Sequence, residues 1–238
     1  MKKIDLLQKI IDNSNYIVFF GGAGVSTESG IPDFRSKDGL YNMKYKWPPE
    51  LILSRDFFYE NTNEFYKFYR DKLNCLDKKP NIVHDYLTKL ENKGKLKAII
   101  TQNIDGLHSK ANSKNIYELH GSIYRNYCTS CNKFYEPKYI FNSNDIPKCE
   151  CGGLIKPDVV LYNESLESKM LDESIYHISH ADLLIIAGTS LTVYPASGLI
   201  DYFSGKNLVI LNRSTTDFDS RATLTINENL KDIFDKLN

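Results

Sequence analysis

No stretch of this sequence approaches the roughly 18 consecutive apolar residues that a membrane-spanning helix requires. Its apolar runs, such as Tyr16–Phe20 and Leu183–Ala187, are strand-sized. Charge of one sign is lacking too, since 30 Lys and Arg stand against 30 Asp and Glu. A polyanion binder needs a surplus of Lys and Arg to neutralise phosphates, so no nucleic acid is expected as a partner, and no membrane. Cysteine is scarce, at five residues in 238. A chain of this length buries roughly three quarters of its unfolded surface and needs no disulfides to hold a core. Internal repeats and low-complexity tracts are absent, and the composition is far from a disordered one. One large domain, or one domain carrying insertions, is the expectation.

Lys2 and Lys3 open the chain as a secretion signal does, but Asp5, Gln8, Lys9 and Asp12 interrupt any apolar run behind them. The segment reads instead as an amphipathic helix with Ile4, Leu7, Ile10 and Ile11 on one face. A soluble, cytoplasmic protein is expected. In a reducing compartment the close pairs Cys128/Cys131 and Cys149/Cys151 favour metal over disulfides. Four thiolates suffice for a closed tetrahedral zinc site, and with no position left for substrate that zinc is structural. Glu150 alone separates the second pair, and Gly152-Gly153 would supply the backbone freedom this short spacing needs. Unmetallated core cysteines and a nucleic-acid zinc ribbon are the competing readings. Cys75 stands alone and reads as packing.

Short β-branched or aromatic runs alternate with helical patterns. Strands are expected at Tyr16–Phe20, Leu96–Thr101, Asn115–Leu119, Leu183–Ala187, Asn207–Leu211 and Ala222–Ile226, and helices at Ile82–Asn92, Lys169–Ser179 and Ala196–Phe203. Near-continuous apolar strands alternating with helices imply an α/β fold, a parallel sheet covered on both faces. Two stretches break the rhythm: the aromatic, helix-patterned residues 36–80 and the cysteine-bearing residues 122–157. Both read as insertions.

Directly after the first strand comes Gly21-Gly22-Ala23-Gly24. Such a turn lets the backbone approach a phosphate, and a helix beginning at a Ser26 or Thr27 cap would aim its N–H groups at the anion. Val25, Ser26 and Thr27 stand where a dinucleotide fingerprint has its third glycine, so a turn without a ligand competes with this reading. Asn103, Asp105 and His120 fall at the C-terminal ends of expected strands, where open α/β sheets bind ligands. Near neutral pH an imidazole can take a proton. Asn103 offers both a donor and an acceptor to a ribose hydroxyl, and Asp105 an acceptor to an amide N–H. A core histidine flanked by turn residues is the plainer alternative.

Residues 22–35, GAGVSTESGIPDFR, together with TQNIDGLH at 101–108, His120-Gly121, GTSLTVYPA at 188–196 and Leu211-Asn212-Arg213, resemble the signature segments of the sirtuins, NAD-dependent protein deacylases of bacterial type. The resemblance runs from the first strand to the last third of the chain, in family order. It implies a Rossmann-like parallel sheet with helices on both faces. A small inserted domain, made of a helical module and a zinc-ribbon module, would complete the fold. The NAD-binding domain would comprise residues 1–35, 81–121 and 158–238, the helical insertion 36–80 and the zinc-binding insertion 122–157.

The same resemblance assigns roles. Gly22, Ala23, Gly24 and Ser26 would line the pyrophosphate and ribose side of NAD. Gln102 and Asn103 would hold the nicotinamide ribose, and Ile104 and Asp105 the carboxamide. Asp33, Phe34 and Arg35 belong to a loop that would close over the cofactor, with Phe34 shielding the reactive sugar. The adenosine half would lie on Gly188, Thr189, Ser190, Asn212 and Arg213. His120 would be the general base, with Asn103 and Asp105 completing the catalytic set. The implied reaction passes the acyl group of an acetylated lysine to ADP-ribose and releases nicotinamide, in a site kept dry against hydrolysis.

On the substrate side, residues 156–164 would pair with an acetylated-lysine peptide as an added strand, with Val160, Leu161 and Tyr162 near the modified lysine. Asn163 stands where many members have glycine. Members that favour succinyl or malonyl groups carry Tyr-x-x-Arg on a helix of the first insertion. Here Tyr66 is present, but Tyr69 occupies the arginine position. Arg70 lies one residue on, about 100° around a helix. Without a cation a buried carboxylated acyl group is unpaired, so uncharged acyl groups are expected. Packing alone would also explain Phe65, Tyr66, Phe68 and Tyr69. An ADP-ribosyltransferase or NAD glycohydrolase on the same fold, and a non-catalytic NAD or zinc interaction module, are the alternatives.

Overall fold

The structure is a computed structural model that describes residues 2–34, 39–42 and 45–238. Helix α1 (Lys3–Asn13) leads into strand β1 (Ile17–Gly21), and two 3-10 turns follow at Ala23–Val25 and Thr27–Ser29. A third turn (Leu40–Asn42) precedes α2 (Pro49–Ile52), α3 (Arg55–Glu60), α4 (Thr62–Lys72) and α5 (Ile82–Asn92). Next come β2 (Leu96–Thr101), α6 (Leu107–Lys110), β3 (Ile116–Glu118), β4 (Gly121–Cys128), β5 (Phe134–Tyr135), α7 (Pro137–Phe141) and β6 (Ile155–Val159). The chain closes with α8 (Ser168–His180), β7 (Leu183–Ala187), β8 (Asn207–Leu211), β9 (Leu224–Ile226) and α9 (Leu230–Phe234).

Six strands form one parallel sheet in the order β3-β2-β1-β7-β8-β9. The chain runs outward from β1 on one side and from β7 on the other, which is the Rossmann-like arrangement with its switch point between β1 and β7. Side-chain alternation divides the strands between two cores. Ile17 and Phe19 of β1 pack with α1, α5 and α9. Val18 and Phe20 pack with α8 and the 3-10 segment Ala196–Tyr202. Both faces are therefore covered, which is why these strands read as continuous apolar runs.

A second sheet, β5-β4-β6, is antiparallel and shares a third core with α3 and α4. Its strand β6 extends through Val159, two residues beyond the expected insertion boundary at 157. The two sheets join at Gly121. There φ is +73°, and an added Cβ would lie 1.9 Å from the Asp158 carbonyl oxygen, so only glycine lets β4 approach β6 this closely. An ion triad spans the junction: Arg125 Nε meets Asp158 at 2.6 Å and Nη1 meets Glu118 of β3 at 2.7 Å.

Two helix expectations need correction. No α-helix starts at Ser26 or Thr27. The chain instead makes 3-10 turns there, because the Ser26 hydroxyl is committed to Asp105 rather than to capping. Residues 196–202 are likewise 3-10 rather than α-helical. Helix α5, by contrast, has the expected bounds, with Asn81 accepting from the Val83 N–H at its N-cap.

Candidate active site

The loops after β1 and β7 meet at the switch point. Gly22 N–H donates to the Ala187 carbonyl at 3.1 Å, and Gly24 N–H to the Gly188 carbonyl at 2.8 Å. Cβ atoms on Gly24 or Gly188 would fall 2.6–2.7 Å from backbone atoms of the opposite loop. These glycines are thus required first for loop-against-loop packing. No α-helix stands behind them, and the N–H groups of Gly22, Gly24, Val25 and Ser26 are all bonded to carbonyls, so the helix-terminus anion site expected here is not formed. Asn81 braces the turn from α5, its Nδ2 donating to the Val25 carbonyl and to Ser29 Oγ, each at 2.9 Å.

Beside this turn the loop after β2 brings Gln102, Asn103, Ile104 and Asp105 to the same sheet edge. Ser26 Oγ donates to Asp105 Oδ2 at 2.6 Å and accepts from Asn103 Nδ2 at 3.1 Å. Ser26, Asn103 and Asp105 are all buried. Burial pushes the Asp105 carboxyl above its ordinary range, while the Ser26 hydroxyl and the Leu107 N–H pull it back. Gln102 Nε2 donates to Thr189 Oγ1 at 3.1 Å and ties this loop to the one after β7. Ile104 packs against the core of the inserted modules.

His120 follows β3. Its Nδ1 lies 3.0 Å from the Gln102 carbonyl, an acceptor only, so Nδ1 carries the proton and Nε2 keeps its lone pair. Burial lowers its pKa, partly opposed by the Gln102 carbonyl, and the ring is neutral at pH 7. The His120 carbonyl accepts from Val160 N–H at 3.0 Å, which joins the base directly to the expected peptide segment.

That segment is itself largely satisfied. The N–H groups of Val160, Leu161 and Tyr162 donate to the His120 carbonyl, Glu164 Oε2 and the Leu53 carbonyl. Among the described residues, the Val160 carbonyl and the Asn163 N–H take no partner. Asn163 has φ +69°, the left-handed conformation in which the family's glycine would be at ease, and asparagine tolerates it better than most residues. Along the segment runs an open groove of about 620 Å³, with Arg55, Lys156, Asn163 and Glu164 among its lining.

The remaining expected residues separate. Asn212 Nδ2 donates to the Thr189 carbonyl at 3.0 Å, whereas Ser190 is exposed and bonded to Thr192. Arg213 lines a hollow of about 340 Å³ with Asn227, Glu228, Asn229 and Asp232. Asp33 and Phe34 border the loop after the second 3-10 turn, and Arg35 lies outside the described residues. Tyr66 requires a correction. It is fully buried, its hydroxyl donates to the Ile155 carbonyl and its ring packs on Phe58 and Phe65, so it presents nothing to a substrate. Ser26, Asn81 and Glu164 carry organising bonds that the sequence reading did not assign to them. Only Glu164 left a signal, a charge opposite to Lys156 within a short Pro-containing stretch; the two pair at 3.0 Å.

In the inserted module, the Sγ atoms of Cys128, Cys131, Cys149 and Cys151 lie within 4.8 Å of one another. Zn–S bonds of about 2.3 Å in a tetrahedron demand such a cluster, and none of the four is in a disulfide. Gly152 (φ +86°) turns the chain after the short second pair. At Gly153 an added Cβ would lie 2.7 Å from Cys128 Sγ. The four thiols fit one closed, structural zinc.

Comparison with known proteins agrees with this architecture. Residues 22–195 match the Sir2 family. An NAD-dependent protein deacetylase of Clostridium acetobutylicum is 55% identical over 234 residues, covering 97% of this chain and 96% of that protein. Its namesake in Clostridium perfringens is 56% identical over 239 residues, covering 99% and 98%. A solved Sir2 complex with deacetylated p53 peptide and 3'-O-acetyl ADP-ribose matches with TM-score 0.92 at 40% identity, over 99% of this chain and 97% of that one. A Sir2–p53 peptide–NAD+ complex matches with TM-score 0.87 at 40% identity, with the same coverage. With sequence and fold both shared over nearly the full length, the chain belongs to the Sir2 family.

Proposed function

We propose that this protein is an NAD-dependent protein lysine deacetylase. The observation that carries the reading is His120, a neutral imidazole with Nδ1 fixed on the Gln102 carbonyl and Nε2 free, joined through its own carbonyl to Val160. Neither NAD hydrolysis nor NAD sensing needs a base coupled to a peptide-pairing segment.

The residues that would hold NAD are Gly22, Ala23, Gly24 and Ser26 on the pyrophosphate side, Gln102, Asn103, Ile104 and Asp105 around the nicotinamide ribose, and Gly188, Thr189, Ser190, Asn212 and Arg213 at the adenosine end. Bound there, NAD would supply an activated sugar that exchanges nicotinamide for the acyl oxygen, and a water molecule would then release free lysine and leave O-acetyl-ADP-ribose. His120 Nε2 takes the ribose hydroxyl proton, and desolvation keeps that nitrogen unprotonated at pH 7. Ser26 orients Asn103 and Asp105 as one unit. Phe34, beside Asp33 and Arg35, excludes water from the sugar. An acetylated-lysine peptide bonds the Val160 carbonyl and the Asn163 N–H, with Val160 against the lysine stem and Tyr162 flanking it, while Leu161 is buried in the core of the inserted modules and anchors the segment from behind. One zinc on the four cysteines holds the inserted module, and its need for reduced thiols supports a cytoplasmic setting.

The two sheets support the division into an NAD-binding domain (1–35, 81–121 and 158–238), a helical insertion (36–80) and a zinc insertion (122–157). Uncharged acyl groups are the substrates. Arg70 Nε donates to the Ile140 carbonyl at 2.9 Å and its Nη2 to the Asp145 carbonyl, which leaves it no reach toward an acyl carboxylate. Tyr69 is buried between Phe65 and Phe141. Matched acetyl-lysine and succinyl-lysine peptides incubated with NAD and followed by mass spectrometry test this: the acetyl peptide is cleared and the succinyl peptide persists. Equal turnover of the two would overturn the acyl assignment, and nicotinamide release without deacylation would favour a glycohydrolase.

A further inference from the structure

Backbone bonds from the Leu40 N–H to the Asp33 carbonyl and from the Tyr41 N–H to the Phe34 carbonyl, each 2.9 Å, tie these residues into one unit. The Phe34 and Tyr41 rings lie 5.5 Å apart between centroids. Tyr41 reaches beyond this unit, and its hydroxyl hydrogen-bonds that of Tyr162, 121 residues further along the chain. Tyr162 is itself fixed on both sides of its backbone. Its N–H donates to the Leu53 carbonyl and its carbonyl accepts from the Arg55 N–H, each at 2.9 Å. The segment after β6, anchored by its backbone beside Ser54, thus presents a phenol to a residue packed on Phe34.

On the functional reading above, we propose that the Tyr41–Tyr162 hydroxyl pair couples the peptide site to the cofactor site. The contacts run in series: a peptide on the Val160 carbonyl and Asn163 N–H immobilises Tyr162, Tyr162 holds Tyr41, and Tyr41 holds Phe34 over the cofactor. Phenylalanine at either tyrosine position keeps the packing and loses the bond, so the coupling resides in one pair of oxygens. Linkage makes it reciprocal: peptide tightens the cofactor by the same factor as cofactor tightens peptide. A net neutral hydrogen bond sets that factor at about two- to tenfold.

The test measures the affinity of ADP-ribose by calorimetry, alone and with a saturating acetyl-lysine peptide. The wild type is compared with Tyr41→Phe, Tyr162→Phe, the double variant and Tyr176→Phe, an exposed hydroxyl on α8. The peptide tightens ADP-ribose about two- to tenfold in the wild type and in Tyr176→Phe. In the other three variants the factor falls to near one, with the double variant no different from the singles because one bond is lost in each. Amide exchange at Leu40 and Tyr41 in the ligand-free protein speeds up in the same three variants. Full coupling in Tyr162→Phe, additive losses in the double variant or unchanged exchange would overturn the proposal. A wild type that binds no acetyl peptide would instead defeat the functional reading, and the exchange measurement would still decide the tether.

Discussion

Replacing Ser26 with alanine probes the organisation of the site more sharply than replacing any residue that touches substrate. Ser26 Oγ donates to Asp105 at 2.6 Å and accepts from Asn103 at 3.1 Å, and it is 1% exposed. A hydrogen bond to a charged group contributes about 1.5–3 kcal/mol, and a buried donor left without an acceptor costs about 1–3 kcal/mol. The two losses share one atom and do not add fully, so Ser26→Ala should destabilise by about 2–4 kcal/mol, a large share of the roughly 5–15 kcal/mol total. The effect has a pH signature. Burial raises the Asp105 pKa, so its ionisation works against folding at neutral pH; its contribution is fully favourable below the unfolded pKa and is lost as pH rises through the folded one. Without Ser26 the ionised form loses a donor, which makes the penalty largest at neutral pH and smaller as Asp105 protonates. Urea unfolding at pH 7.5 and at stepwise lower pH reads this directly, and kcat/KM should fall at least tenfold as Asn103 and Asp105 lose register. A destabilisation under about 0.5 kcal/mol, or one that is the same at every pH, would refute the reasoning.

Other consequences follow from buried groups. His84 and His108 face each other at 4.7 Å between ring centroids, and burial lowers both, His84 to about 4. The unfolded chain takes up these protons below about pH 6.5 and the folded one does not, so stability falls between pH 7.5 and 5, by about 2 kcal/mol for His84, with His108 acting in the same direction; a flat urea midpoint over that range would contradict it. Metal analysis should find one zinc per chain, and chelation should unprotect the amides of β4–β6 while β1 and β7 stay protected; a zinc-free, fully protected protein would show the thiols to be simple packing. Arg125→Ala leaves the Glu118 side chain, 14% exposed, without its cation. Because Arg125 is itself 40% exposed, the expected cost is about 1–2 kcal/mol by urea unfolding, and a change within error would show the triad to be solvent-screened.

The sheet was legible in the sequence because its strands are buried on both faces. Leu96–Thr101, Leu183–Ala187 and Asn207–Leu211 have the expected bounds, since a two-faced core demands unbroken apolar runs. The four cysteines were legible because metal ligands carry their own spacing. Local pattern failed where a tertiary bond outweighed it. Ser26 has the chemistry of a helix cap, yet a buried carboxylate at Asp105, far along the chain, claims its hydroxyl. Tyr66 lies on an aromatic helix face, and that face turned out to be the packing face of α4. Pairs such as Asn81 with Val25, or Tyr41 with Tyr162, leave no trace in a local reading because neither partner signals the other.

The central claim is that a neutral His120 couples NAD cleavage to lysine deacylation. The measurement that tests it most directly counts nicotinamide and free lysine released from an acetyl-lysine peptide, with and without NAD, for the wild type and His120→Ala. The account predicts one nicotinamide per lysine, no lysine without NAD, and a loss of turnover of at least about a hundredfold in His120→Ala. Lysine release without NAD, nicotinamide in excess of lysine, or undiminished turnover in the variant would contradict it.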